Sequence, residues 1–220
     1  RLPKLMDFPI KISKIKCHLI HWAVAKDLCY LVNFLLKIDP KLIAIKVKET
    51  LDTPLHIAIK YGKFQAFKLL ITKGCLALEL NKKKQSPLMS ALIYQSQKVA
   101  SVIFRCWLDK NLPIDYGHKD LNGKTLFDYA LSDHPEVLKL ILPFYIESLR
   151  LDQVRLQRCF IFCAMNNQSS SLPLLLNNLP VDLNEPAGTL RRTAIFFSVE
   201  NNDYKNTDLY IKYGANVNIQ

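Results

Sequence analysis

Glycine is scarce in this chain, six among 220 residues. The scarcity argues against glycine-rich phosphate loops, and no Walker loop, GxSxG or HExxH motif occurs. No apolar run reaches the roughly 18 residues that a bilayer-spanning helix needs. The opening RLPKLMDFPIKISK has neither the apolar core nor the cleavage site of a signal peptide, and no initiator methionine. A processed or excised fragment is therefore expected. The six cysteines, at 17, 29, 75, 106, 159 and 163, form no CxxC pair and no knot-like spacing. Six reduced thiols in a cytoplasmic setting are the expectation. Cys159 and Cys163 share a helix face at i, i+4, but without a second pair they read as buried apolar residues, so no metal and no cofactor is expected.

What is present is a large apolar fraction and a strong positive charge. Half the residues are hydrophobic, enough for a sizeable core. Net charge is +11, carried by 23 lysines and only seven arginines. That balance attracts acidic partners, yet lysine is a point charge and not a planar fork for base edges. Aromatics do not interleave with the bases as a nucleic-acid stacking platform requires, so nucleic acid is an unexpected ligand. Abundant lysine, isoleucine and asparagine fit an AT-rich genome, as in an intracellular bacterium or a large virus.

Residues 52–63, DTPLHIAIKYGK, look catalytic at first sight. Their local chemistry instead spells a helix start. Thr53 can cap orphan amides, Pro54 suits the first helical position, and Gly62 tolerates the left-handed turn that ends the helix. Leu55, Ala58 and Ile59 form one apolar face at i, i+3, i+4. A second apolar run follows, from Phe64 to Ile71, up to Gly74. Two short helices in a hairpin result.

The stretch repeats. His18-Leu-Ile-His21-Trp-Ala23 aligns with Thr53-Pro-Leu-His56-Ile-Ala58 at an offset of 35, and Ser86-Pro-Leu-Met-Ser-Ala91 follows 33 later. Thr125-Leu-Phe-Asp-Tyr-Ala130, Cys159-Phe-Ile-Phe-Cys-Ala164 and Thr193-Ala-Ile-Phe-Phe-Ser198 complete the series. Thr53 lies 21 residues before Gly74, and Thr193 lies 21 before Gly214 in YGANVN. These residues resemble the ankyrin repeat, with its TPLHxAxxxG followed by VxxLLxxGADVN.

The resemblance implies an all-α ankyrin-repeat solenoid of about six helix-turn-helix repeats with short hairpin fingers. Residues 1–16 are the N-terminal lead-in and 17–220 the array, with units starting near 18, 53, 86, 125, 159 and 193. The third unit carries about six extra residues around Cys106–Ile114, which predicts a longer second helix or loop. Residues 145–158 lack finger residues and have helical spacing, so an irregular junction is expected there. The final ANVNIQ opens a finger that a further repeat would complete.

In this setting His21 and His56 are expected to tie turns to their neighbours. Cys17-His18, Asp128 with Asp133, and Asn122-Gly123 read as adjacency, surface carboxylates and a turn rather than as chemistry. The expectation is a non-enzymatic, monomeric protein-interaction module, a host-directed effector acting in the cytoplasm of a host cell. The other open reading is the targeting part of a larger enzyme. Two surfaces are candidates for binding a protein partner with an acidic surface. One is a basic finger edge containing Lys16, Lys84, Lys124, Arg158, Arg191 and Arg192, with bases spaced about 10 Å apart by helix stacking. The other is the concave face, where the resemblance places Lys26, Lys60, Tyr61, Tyr94, Asn166, Asn167, Glu200 and Asn201.

Overall fold

A computed structural model describes residues 10–12, 15–75, 78–95, 97–186 and 192–218. The chain divides into two compact units, Arg1–Leu126 and Phe127–Gln220. The first contains α1 (Leu19–Ala25), α2 (Cys29–Ile38), a 3-10 turn (Pro40–Ala44), α3 (Pro54–Lys60), α4 (Phe64–Thr72), α5 (Pro87–Tyr94) and α6 (Gln97–Asp109). Helix α7 (Leu126–Asp133) starts at the division. The second unit continues with α8 (Pro135–Leu151), α9 (Gln153–Met165), α10 (Leu172–Asn178), α11 (Ala194–Glu200) and α12 (Tyr204–Lys212). Among the described residues the architecture is all-helical except for one small hairpin near the start, β1 (Ile10–Ile12) antiparallel to β2 (Ile15–Cys17), with Ile10 opposite Cys17.

Helix α3 shows why these helices start where they do. The Thr53 hydroxyl accepts from the His56 amide at 3.4 Å, and His56 Nδ1 accepts from the Thr53 amide at 3.3 Å, a reciprocal capping box. Ser86 repeats the first half of the box, accepting from the Met89 amide at 3.2 Å. Four of the turns that follow a first helix hold a residue in the left-handed region. Gly62 fills it in one unit, at φ 63°, while Asp27, Asn167 and Asn202 fill it in others at 58°, 55° and 54°. In all four the following amide reaches back to the helix, as Lys63 does to the Ala58 carbonyl at 2.7 Å. Acidic and amide side chains thus replace glycine at the turn, which is how a repeat protein manages with so few glycines.

First helices stack on first helices: α1 packs on α3, α3 on α5, and in the second unit α9 on α11. Sandwiched on both sides, α3 buries every residue from Pro54 to Ile59, as a helix in the middle of a stack must. The second unit is centred on Leu156, Phe160, Cys163 and Tyr210, all buried. There the Tyr210 hydroxyl donates to the Phe160 carbonyl at 2.7 Å, and the Asn206 amide to that of Cys163 at 3.0 Å.

The extra residues of the third unit do two things. They lengthen α6, and they form a loop that folds back so that buried Trp107 Nε1 donates to the Pro113 carbonyl at 3.3 Å. Between α8 and α9 no finger intervenes. Asp152 alone separates the two helices, capping the Arg155 amide at 2.9 Å, so the fifth unit's first helix starts at Gln153 and residues 145–158 are otherwise helical.

Candidate functional site

The fingers of the first unit are tight backbone turns. Val47 donates to the Asp52 carbonyl at 3.0 Å, Asn81 to Gln85 at 3.1 Å and Asp120 to Lys124 at 3.0 Å. Neighbouring fingers are joined: the Lys82 amide donates to Thr50 O at 2.8 Å, and the Leu121 amide to Lys83 O at 3.0 Å. Beneath this ribbon runs a ladder of side chains. Asn81 donates to Asp52 and Gln85 to Asp120, each at 3.3 Å. The carboxylates Asp52 and Asp120 are buried in that ladder, so they pair the fingers with one another and leave little acid at the surface.

The histidines hold the same seam. His56 Nε2 donates to the Gln85 carbonyl and His21 Nε2 to that of Ile45, both at 3.1 Å. Burial pulls both imidazoles down, His21 to about 4, helped by neighbouring His18. A buried, neutral imidazole whose Nε2 is held by a scaffold carbonyl is a fastener, as the sequence pattern leads one to expect.

The concave candidates fall into two sets, one per unit. In the first, Lys26, Lys60, Tyr61 and Tyr94 lie at the C-terminal ends of α1, α3 and α5. Lys60 Nζ stands 5.2 Å from the centre of the Tyr94 ring and 3.9 Å from Asp52. Tyr61 and Tyr94 remain 37% and 41% exposed, which is much open apolar area for rings so near a core. In the second set Asn166 and Asn167 end α9, and Glu200 and Asn201 end α11. The Asn201 amide donates to the Ala164 and Met165 carbonyls at 3.2 and 3.1 Å, so this side chain ties α11 to α9. Asn166 turns back onto the Phe162 carbonyl at 2.9 Å.

Gln95 was not legible as important and acts like Asn201. Its amide donates to the Ile59 carbonyl and, at 3.3 Å, to that of Lys60, satisfying the open end of α3. Only its place just past a helix end in a repeated frame could have signalled this.

Among the finger bases, Lys84 and Lys124 are exposed but occupy different turn positions. Lys84 sits in the left-handed position two residues before Ser86, and Lys124 follows it in register. Arg192 stacks on Phe196 at 4.2 Å and pairs with Glu200 at 3.6 Å. Arg191 lies outside the described residues, and for Lys16 the description is limited to the backbone of β2. The charge is unevenly divided. Arg1–Leu126 holds 22 bases against nine acids, a net +13, whereas Phe127–Gln220 holds eight against ten, a net −2.

Buried cysteines are the counterpart of this polar surface. Cys75 and Cys159 are pushed up to about 12 by burial, and Cys163 further. Among the described residues no three His, Cys, Asp or Glu side chains are grouped to hold a metal, and no helix is long and apolar enough to cross a membrane.

Residues 20–113 match the family model for ankyrin repeats, three copies. No curated protein matches the chain. Solved structures share its fold, two of them as follows. One is the ankyrin repeat domain of Bcl-3, a member of the IkappaB protein family, 19% identical over 91% of this chain and 88% of that one, at a TM-score of 0.70. The other is a chain from the complex of the predatory endopeptidase Bd0816 of Bdellovibrio bacteriovorus with the immunity protein Bd3460. It is 18% identical over 92% of this chain and 99% of that one, at a TM-score of 0.66. Residues 20–113 are ankyrin repeats, and the fold of the chain is the ankyrin-repeat fold.

Proposed function

We propose that the chain is a non-catalytic protein-interaction module that grips its partner where α1, α3 and α5 end, with the basic fingers steering the approach. Ankyrin repeats generally serve to bind proteins. The observation that carries the reading here is the cluster of Lys60, Tyr61 and Tyr94. Two tyrosines stand half-open beside a lysine that reaches over one of them. Aromatic rings with polar tips supply contact area at little entropic loss, and such residues dominate measured interface energies. Scaffold needs do not explain their exposure, since the end of α3 is already satisfied by Gln95.

The partner proposed is a protein with an acidic surface, drawn in by the +13 of Arg1–Leu126. A host-directed role fits the composition of the chain. The test is capture from lysate by the wild type and by Tyr61→Ala/Tyr94→Ala, compared by mass spectrometry. The expected result is a protein retained by the wild type and reduced at least about tenfold by the double substitution, the scale of one hot-spot residue. Identical sets of captured proteins would sink the proposal.

A further inference from the structure

The three fingers of the first unit share one unusual backbone position. Two residues before Thr53, Ser86 and Thr125 stand Leu51, Lys84 and Gly123, at φ 55°, 55° and 74°. Glycine takes that conformation freely, whereas leucine and lysine are strained in it. The fold therefore holds two bulky side chains where the smallest would serve stability better. Lys84 is pinned from behind, its carbonyl accepting from His118 Nε2 at 2.7 Å. Strain of this kind survives where the side chain has another use.

The surroundings indicate the use. Lys48, Lys82, Lys83, Lys84 and Lys124 are exposed on the three fingers, and Glu49 is the one exposed carboxylate among them. Leu51 and Leu121 stand in the same ribbon, 39% and 63% exposed. The backbone bonds from Lys82 to Thr50 and from Leu121 to Lys83 fix the order across the ribbon as leucine, lysines, leucine.

We infer that this ribbon is a docking surface for an acidic polypeptide segment that carries apolar side chains between its carboxylates. The inference rests on the protein-interaction reading and names the chemistry of the partner. Charge complementarity selects the acid, since Asp52 and Asp120 are buried while Lys48, Lys82, Lys83 and Lys84 stand exposed on the fingers. The leucines select a polypeptide over nucleic acid, whose phosphate edge offers no apolar partner. A membrane surface fits less well, because insertion needs a broad apolar face and the ribbon offers two leucines among lysines.

The experiment is fluorescence anisotropy on the full chain with short labelled peptides of glutamate interspersed with leucine. An all-glutamate peptide, duplex DNA and phosphatidylserine vesicles serve as comparisons, at about 150 mM salt where exposed charges act over about 8 Å. Two variants are used. Lys82→Glu/Lys83→Glu reverses charge, while Leu51→Gly/Lys84→Gly removes side chains at positions where glycine relieves the backbone. The expected result is binding of glutamate–leucine peptides, weakened about tenfold in each variant, with the glycine variant melting no lower than the wild type. No peptide binding, equal affinity for the all-glutamate peptide, tighter binding of DNA or vesicles, or unchanged affinity in both variants overturns the proposal. A captured protein that survives the finger variants but is lost with Tyr61→Ala/Tyr94→Ala also overturns it, while leaving the concave reading standing. Peptide binding that depends on the fingers, with capture indifferent to the tyrosines, removes the concave reading alone.

Discussion

His21 and His56 show how a residue that looks like chemistry becomes scaffold. Each donates through Nε2 to a carbonyl 24 or 29 residues away, and each is buried. His21 Nδ1 meets no hydrogen-bond partner, so a proton placed there would be buried and unmatched. An imidazole lowered to about 4 from an ordinary 6.5 gives stability that is fully present above pH 6.5. As pH falls from 6.5 toward 4 the unfolded chain binds a proton that the folded chain refuses, and stability is lost, roughly 3 kcal/mol in all. His56 moves in the same direction. The urea midpoint is therefore expected to drop between pH 7 and pH 5, and to drop less in His21→Asn. A midpoint equal at the two pH values contradicts this account. The histidine roles were legible because a motif fixes their frame. The strain at Leu51 and Lys84 was not, because backbone conformation at a finger depends on bonds to residues such as Val47 and Asn81 that sequence spacing alone does not reveal.

Helices were the most legible level of this molecule. Cap residues and 3.6-residue spacing gave α3 and α5 their starts at Pro54 and Pro87, and the extra residues of the third unit do lengthen α6. The region before Cys159 was harder, since Asp152 can restart a helix without any finger and so moves the start of α9 to Gln153. That longer α9 turns Cys159 and Cys163 into the core beside Phe160 and Leu156. Burial raises both thiols, which disfavours the thiolate that alkylation or metal binding requires. Cys29 and Cys106 are only partly covered. A thiol reagent at pH 8 should modify Cys29 and Cys106 within the folded chain and reach Cys75, Cys159 and Cys163 only after denaturant is added. Peptide mapping of the labelled sites checks this, and rapid labelling of Cys163 in the native chain would count against a packed α9.

At the scale of the whole molecule the governing fact is where the charge lies. A total of +11 reads as a uniformly basic protein, but division at Leu126 turns it into +13 on one unit and −2 on the other. Composition alone could not show this, because the boundary between the units is a property of packing. Self-repulsion among like charges weakens a compact state, and salt relieves it. Arg1–Leu126 should therefore gain stability from added sodium chloride, while Phe127–Gln220, nearly neutral, should gain little. The chain carries its own reporter for the difference. Both tryptophans, Trp22 and the buried Trp107, belong to the first unit, whereas helices of both units contribute to circular dichroism. Raising salt from about 0.05 to 0.5 M shrinks the screening length from about 14 to about 4 Å. Over that range the urea midpoint followed by tryptophan fluorescence should rise more than the midpoint followed by circular dichroism. Equal shifts in the two signals would mean that the repulsion is shared by the whole chain, and that the finger lysines are already neutralised by contacts within the fold.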